Sequence, residues 1–340
     1  MYIELAHAAN KVVTELVEVK KSNRVVILAE SICDRTAVDA MAEAVYAVGG
    51  FPIVIWYPTA VDVVVEPPEP IAQALKSCDV VIEFSLMYIL HTAAFDAALS
   101  RGVKWQCLTG LDAKAMVEVI GKADNKKLDR FGSNFRGFLD RTAGSQVKVT
   151  SRAGTDVTFV YQKGIQDQSI PCPPRDRATL PGQTGGHPVL GSTNGRIVFD
   201  GSMWPPKDLG ILANPIELIV KNGRIEEIKG GKEARILEKW LSDLKDPEMY
   251  YPAHIHVGFH PQCKQIGVPL VDERIFGCIC VGIGWWTNGK PGHRPKSVKH
   301  TDGEMLNVSM WVGSEQVLEG GRFVHPELRE LGEELLKTRA

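Results

Sequence analysis

The chain has 340 residues, of which 44% are hydrophobic and 24% charged, and its formal net charge is −2. This length predicts two globular domains, and the nearly balanced charge argues against nucleic acid or an anionic membrane as a partner. The N-terminus lacks the pattern of a signal peptide, and no run of 18 apolar residues predicts a membrane span. None of the seven cysteines forms a CxxC pair, which argues against a disulfide framework and structural zinc. We expect a cytoplasmic protein that forms a homo-oligomer.

The first part of the chain alternates between strand and helix patterns. Helical periodicity separates apolar runs that predict buried strands, and Asp34 has the position of a helix N-cap. The strands are predicted at 24–29, 52–56, 79–84 and 104–108. This β-α-β-α alternation predicts an α/β domain over residues 1–144 with a doubly wound parallel sheet. Neither GxGxxG nor GxxxxGK[ST] occurs, so no nucleotide site is predicted.

From residue 145 to residue 340 the pattern becomes β-rich. Asn194-Gly195 and Asn222-Gly223 each lie between alternating apolar residues, a pattern that predicts hairpin turns. Strands are predicted at 146–150, 156–161, 252–259, 275–284 and 305–312, and helices at 232–245 and 326–337. We therefore expect a β-rich α+β domain here, and the histidine pattern described next makes it the metal-binding domain.

Histidines are few in this chain, but three of the nine lie in the segment A-His254-I-His256-V-G-F-His260. On a strand, residues 254 and 256 point to the same face, so that two imidazoles can reach one ion. The segment K-His300-T-Asp302-G brings an imidazole and a carboxylate to one face in the same way. Two imidazoles and one carboxylate leave open coordination positions, which suits iron(II) oxygen chemistry or hydrolysis by zinc or manganese.

Two further histidines are candidates for proton transfer. His187 ends the glycine-rich sequence LPGQTGGH, where we predict a loop whose glycines let the backbone approach a ligand. His91 follows a predicted strand and would lie at the carboxyl edge of the parallel sheet, where ligands bind in such folds. Trp285 or Trp286 would supply an apolar wall for a flat ligand.

Several short motifs in the second half resemble the metal aminopeptidases of the aminopeptidase T and S type. In chain order they are AGTDVT at 153–158, LPGQ at 180–183, NPIELIVKNGRI at 214–225, ERIFGCICVGIG at 273–284 and HTDG at 300–303. Their order and spacing over roughly residues 145–325 carry the resemblance, which implies a related fold.

The metal ligands of those peptidases are only partly present. The resemblance aligns their two glutamate ligands with Gln183 and His254 and their first histidine ligand with Cys280, so only His300 and Asp302 persist. Three of the five ligands of a two-metal site have therefore changed. The set that results, two histidines and one carboxylate, resembles the 2,5-dihydroxypyridine 5,6-dioxygenase family on the same fold.

This second resemblance implies a ring-cleaving dioxygenase with one Fe(2+) ion. It implies that His254, His300 and Asp302 bind the ion, and that His187 and His91 are the nearby acid/base groups. The implied partners are dioxygen and a small aromatic or heteroaromatic substrate, such as 2,5-dihydroxypyridine.

Two alternatives remain open from the sequence. One is an aminopeptidase-like, metal-dependent hydrolase whose site recruits His256, His260 or Cys280, and the other is a metal or ligand binder without enzymatic activity. The roles of His256, His260 and Cys280 are not assigned by the sequence.

Overall fold

The computed structural model describes residues 2–60, 62–63, 65–90, 92–162, 178–285 and 294–339. The chain divides into two compact units, Met1–Ala123 with Ile170–Leu180 and Asp124–Ser169 with Pro181–Ala340. The domain boundary at 144/145 stays a prediction; it differs from this division by assigning the helix Asn125–Thr142 to the first domain. Within the described ranges, no helix has the length and apolar character needed to cross a membrane.

The first unit is built on a parallel sheet of four strands. In chain order its elements are α1 (Tyr2–Lys11) with a π-helical turn (Val12–Leu16), β1 (Arg24–Glu30), α2 (Arg35–Ala47), β2 (Phe51–Tyr57), α3 (Glu69–Lys76), β3 (Val80–Glu83), α4 (Ala93–Leu99), β4 (Lys104–Cys107) and α5 (Ala113–Met116) with a second π-helical turn (Val117–Gly121). The strand order is β2-β1-β3-β4 with parallel pairing. β2 therefore lies on one side of β1, and β3 and β4 lie on the other side. This arrangement confirms the predicted doubly wound sheet.

The central strands explain why these residues form this sheet. Every residue of β1 after Arg24, and every residue of β3, is buried. Their continuous apolar character is expected of parallel strands with both faces covered. The predicted N-cap is also present, since the Asp34 carboxylate accepts a hydrogen bond from the backbone N–H of Thr36.

The second unit contains two sheets, four α-helices and the two short 3-10 helices Pro247–Tyr250 and Lys337–Arg339 among the described residues. Its elements are α6 (Asn125–Thr142), β5 (Gln146–Thr150), β6 (Asp156–Val160), β7 (Gln183–Gly186), β8 (Asn194–Phe199), β9 (Ser202–Trp204), β10 (Gly210–Ile211), β11 (Ile216–Lys221), β12 (Arg224–Gly230), α7 (Lys232–Leu244), β13 (Pro252–Gly258), α8 (Pro269–Asp272), β14 (Ile279–Ile283), β15 (Thr301–Met305), β16 (Ser309–Val312), β17 (Glu315–Glu319), β18 (Arg322–Phe323) and α9 (Pro326–Leu336). One sheet has the order β10-β9-β15-β14-β13-β7, and the other has the order β12-β11-β8-β6-β5-β16-β17-β18. The predicted β-rich fold class is therefore confirmed.

The two sheets of this unit contact each other through β15 and β8. A Cβ built on Gly303 of β15 would lie 2.8 Å from ring atoms of Phe199 on β8, so the glycine allows the aromatic ring to pack closely. Successive side chains of a strand point to opposite faces. Asp302 therefore faces away from the eight-stranded sheet.

One of the two predicted hairpin turns is present. Asn222 and Gly223 connect the paired strands β11 and β12 with φ angles of 48° and 77°, the positive values that a type I′ turn requires. The prediction for Asn194-Gly195 is wrong, because these residues begin β8. Gly195 lies beside β6, and a Cβ there would be 2.3 Å from the carbonyl oxygen of Asp156.

Two predictions near the candidate metal ligands also need correction. The segment predicted as a glycine-rich loop contains β7, because glycine permits a close approach to β13; a Cβ on Gly185 would lie 2.1 Å from the carbonyl oxygen of Ile255. The strand predicted at 305–312 is two strands, one in each sheet. They are separated at Asn307, whose φ of 48° is incompatible with an extended strand.

Candidate metal centre

The candidate ligands lie on one face of three neighbouring strands. In the register of β13, β14 and β15, Gly282 is paired with His254 on one side and with Asp302 on the other. His300 immediately precedes β15, two residues before Asp302, so alternation directs both side chains to the same face. The three side chains therefore converge above Gly282.

The donor atoms of the three residues form a compact triangle. His254 Nε2 lies 3.0 Å from His300 Nε2 and 3.1 Å from Asp302 Oδ1, and His300 Nε2 lies 3.3 Å from Asp302 Oδ1. An ion with bonds of about 2.1 Å holds neighbouring octahedral ligands about 3.0 Å apart. The triangle therefore fits one ion that all three residues would hold.

Gly282 leaves the space in which these donors meet. A Cβ at this position would lie 2.2 Å from His254 Nε2 and 2.6 Å from His300 Cε1. Any side chain on this residue would therefore displace the imidazoles. Gly282 could not be identified from the sequence, because the requirement for glycine appears only when the strands on both sides are known.

Backbone contacts orient the two imidazoles. The Nδ1–H of His300 donates to the carbonyl oxygen of Gly284, so Nε2 is the ring nitrogen that faces His254 Nε2 and Asp302 Oδ1. The register between β13 and β14 shifts between Pro252 and His254, as in a β-bulge. Bulges of this kind redirect side chains near active sites, and here the irregularity is adjacent to His254.

The charge and exposure of the group suit a cation. Burial by itself raises the pKa of Asp302, but the neighbouring His300 and His254 outweigh it and hold the pKa well below its usual range. The carboxylate is therefore ionised. The side chains of Asp302 and His254 remain 21% and 15% exposed, so the group is accessible from outside the sheet.

A second group also brings three donor atoms close together. Atoms of Glu273, Cys280 and Asp302 lie within 4.8 Å of one another, the same limit that the first group satisfies. However, the Glu273 carboxylate forms an ion pair with the buried Arg274. Burial, and then the charge of Asp302, raise the pKa of the Cys280 thiol, whose Sγ lies 3.5 Å from Asp302 Oδ1. A neutral thiol is a poor ligand, so the first group is the better cation site.

His187 lies one residue beyond the end of β7, which is the strand paired with β13 on the side opposite β14. Its Nδ1 is 2.6 Å from the carbonyl oxygen of Ala253, and its ring stacks on Trp285 with centroids 5.1 Å apart and planes inclined by 23°. The Nδ1–H donates to this carbonyl, so the neutral ring has its lone pair on Nε2. Continuation of the β7–β13 register would place residue 187 beside His254.

The remaining candidates have different surroundings. The ring of His256 stacks on that of His254 with centroids 4.3 Å apart. His260 is buried beyond the end of β13, where its Nδ1 accepts a hydrogen bond from the backbone N–H of Gln262. His91 and Trp286 lie outside the described residues, so their predicted roles are not tested.

This architecture is found in two solved structures. The structure of 2,5-dihydroxypyridine dioxygenase from Pseudomonas putida KT2440 matches with a TM-score of 0.77 and 20% identity, over 97% of this chain and 99% of that one. Wild-type AmpT from Thermus thermophilus matches with a TM-score of 0.70 and 14% identity, over 95% of this chain and 99% of the other. These similarities define a fold that an aromatic-ring dioxygenase shares with AmpT.

The family assignment comes from the sequence. Residues 5–325 match the family model described as NicX: 2,5-dihydroxypyridine 5,6-dioxygenase. The chain belongs to this family of ring-cleaving dioxygenases, and the predicted family resemblance is confirmed. No curated protein matches the chain.

Substitution of the ligands tests the metal site directly. We expect His254→Ala, His300→Ala and Asp302→Ala each to lose the bound metal ion, because two donors hold an ion much more weakly than three. The exposed His7 provides the control, and His7→Ala should keep about one metal ion per chain. Metal analysis of anaerobically purified protein measures this, and full occupancy in both His300→Ala and Asp302→Ala would reject the assignment.

Gly282→Ala tests the space above the glycine without removing a donor. The added methyl group must displace the His254 ring, so we expect iron affinity to fall by about 10-fold or more. Gly137→Ala is the control, since a Cβ there would lie 3.5 Å from the flexible end of the Arg141 side chain. Iron titration, together with thermal unfolding of the metal-free proteins, separates a local effect from loss of folding. Unchanged affinity in Gly282→Ala would contradict the proposed convergence.

Proposed function

We propose that this chain is a mononuclear iron(II) dioxygenase that opens the ring of 2,5-dihydroxypyridine or a close hydroxylated relative. The observation that carries the proposal is the convergence of His254, His300 and Asp302 in a member of this dioxygenase family. Two histidines and one carboxylate with open positions are the ligand set of many non-haem iron(II) oxygenases. An iron(II) ion held there would supply the redox chemistry that lets dioxygen react with an organic ring.

The charges of the three ligands favour a substrate that binds as an anion. Imidazoles bind metal ions in their neutral form, so as ligands the two histidines and the Asp302 carboxylate would together contribute a single negative charge. A divalent ion held by this set would keep an excess positive charge, and that charge would favour a deprotonated hydroxyl on the substrate. The partial exposure of His254 and Asp302 leaves room for the substrate to approach.

His187 is the proposed base for that hydroxyl proton. Its Nδ1–H donates to the carbonyl oxygen of Ala253, so Nε2 is the nitrogen that accepts the proton. The same carbonyl stabilises the imidazolium that results, and the stacked ring of Trp285 restricts the orientation of the imidazole. We propose His91 as a second acid/base group. A homo-oligomeric state and a cytoplasmic location remain predictions.

The alternative function, a metal-dependent hydrolase, is disfavoured by the residues around the site. A two-metal peptidase needs carboxylates that bridge two cations about 3.5–4 Å apart. The corresponding positions here include the uncharged Gln183 and a neutral Cys280 thiol, while Glu273 is paired with Arg274. Asp302 alone would have to compensate the charge of a second cation.

Two assays on one preparation distinguish these functions. With iron(II) and 2,5-dihydroxypyridine or a close hydroxypyridine, we expect oxygen uptake in an oxygen electrode. With zinc, cobalt or manganese, we expect no hydrolysis of leucyl anilides, because the carboxylates of a two-metal site are missing. Asp302→Ala is the control that should lose the oxygen uptake. Metal-dependent anilide hydrolysis, without oxygen uptake on any hydroxypyridine or catechol, would favour the hydrolase.

Replacement of His187 tests the proposed base. His187→Ala should retain iron and lower kcat by about 100-fold, the usual contribution of an acid/base group. Added imidazole should restore part of the rate by replacing the missing base. The exposed His7 provides the control, since His7→Ala should have no effect on turnover. A normal rate in His187→Ala would exclude it from proton transfer.

A further inference from the structure

The imidazole of His254 lies between two other imidazoles. It stacks on His256 with ring centroids 4.3 Å apart and planes inclined by 24°, and on His300 with centroids 5.0 Å apart and planes inclined by 28°. β13 and β15 run in the same direction, because each is antiparallel to β14. His300, two residues before Asp302, is therefore on the side of His254 toward the start of β13, and His256 is on the side toward its end.

The ring of His256 is itself firmly held. This residue is 5% exposed and lies in the middle strand of three, paired with Gly185 of β7 and with Cys280 of β14. A Cβ on Gly185 would lie 2.7 Å from His256 Cδ2, so the ring packs directly on the backbone of β7. His256 therefore offers its neighbour His254 a flat surface in a fixed position.

The contact between the two rings does not compete with metal binding. An imidazole binds a metal ion through a nitrogen lone pair that lies in the plane of the ring, whereas stacking uses the faces of the ring. Neither of the two groups of three close donor atoms found among the described residues includes His256. The geometry therefore favours a contact that orients a ligand over a fourth ligand.

The stack restrains the torsion that directs His254 Nε2 at the other donors. The last side-chain torsion of histidine is broad, so rotation about it costs little unless neighbours oppose it. His254 is also adjacent to the irregularity in the β13–β14 register, and its side chain is 15% exposed. Rotation of this ring would turn Nε2 away from His300 Nε2 and Asp302 Oδ1.

We propose that His256 is a positioning residue that holds the imidazole of His254 in the orientation required for metal binding. This inference rests on the ligand role proposed for His254. His256 neither binds the ion nor transfers a proton; it acts through the face of its ring. Loss of a group that orients a metal ligand typically lowers metal affinity by about 10- to 100-fold.

Two substitutions of His256 separate the flat ring from its nitrogens. Co²⁺ is the probe, because it binds to the same kinds of ligand as iron(II) and its visible absorption bands report the coordination geometry. His256→Leu fills the space without a flat ring, and we expect about 10-fold weaker Co²⁺ binding and shifted bands. His256→Phe keeps a flat ring and removes both nitrogens, so affinity should stay within about 2-fold of wild type and the bands should not shift.

Val257→Ala is the matched control. Val257 is buried in β13 next to His256, and its side chain points to the opposite face of the sheet. This variant should lower the thermal stability of the metal-free protein but leave Co²⁺ affinity and the bands unchanged. Thermal unfolding of each metal-free variant identifies any loss of folding. His256→Ala also removes the ring, so its comparison with Val257→Ala decides the question if His256→Leu or His256→Phe does not fold.

Three results would overturn the inference. Wild-type Co²⁺ affinity in His256→Leu or His256→Ala would show that the ring is not needed. A loss in His256→Phe as large as that in His256→Leu would show that the nitrogens matter and the ring face does not. An equal loss in Val257→Ala would show that the stability of β13 accounts for the effect.

The same measurements separate this inference from the proposed function. If His254→Ala keeps wild-type Co²⁺ affinity, the ligand assignment is rejected, and the positioning role with it. If His254→Ala loses the ion and His256→Leu does not, only the positioning role is rejected. If the Co²⁺ affinities are as expected and no hydroxypyridine supports oxygen uptake with iron(II), the dioxygenase function is rejected and the positioning role stands.

Discussion

The main constraint on this structure is the crowding of three electron-rich atoms on one face of a sheet. Nε2 of His254, Nε2 of His300 and Oδ1 of Asp302 all lie within 3.3 Å of one another. Lone pairs at this separation repel unless positive charge lies among them, as protons or as a metal ion. The surrounding features, among them Gly282 below the donors and the Gly284 carbonyl that holds His300, keep these atoms together.

The sheet achieves this convergence with ordinary strand geometry. The strands β13, β14 and β15 supply the space and the orientation, while the chemical identity of the donors depends on single residues. Strand geometry and donor identity can therefore change independently. This is consistent with the same fold in a 2,5-dihydroxypyridine dioxygenase and in AmpT, at 20% and 14% identity to this chain. Similarity of fold therefore carries little information about activity, and the family match and the donor set carry the functional argument.

Much of the fold was predictable because local patterns agreed with the final structure. The apolar runs of β1 and β3, the N-cap at Asp34 and the turn at Asn222-Gly223 are determined by nearby residues. The incorrect predictions concern segments whose secondary structure is determined by tertiary contacts. Glycine indicates a loop in isolation, yet in β7 it allows close approach to β13.

The candidate site was predictable to a similar extent. The spacing of His300 and Asp302 already indicates a shared face, and the resemblance to the dioxygenase family adds His254. The requirement for glycine at 282 could not be predicted, because it depends on strands distant in sequence. The stacking of His187 on Trp285 depends on tertiary contacts in the same way. The irregularity next to His254 also has no local sequence signal that we recognised.

The hydrogen bond between His187 and Ala253 has a consequence for how the proposed base and the metal ligands are related. The carbonyl of Ala253 and the amide of His254 belong to one peptide unit, and a peptide unit is a rigid plane. The acceptor that orients the base and the backbone nitrogen of a ligand therefore move as one body. A rotation of this plane that draws His254 toward an ion also turns the carbonyl that holds His187. The orientations of His187 and of the His254 backbone are thus linked through a single peptide plane, and the proposed proton transfer and metal binding would be linked with them.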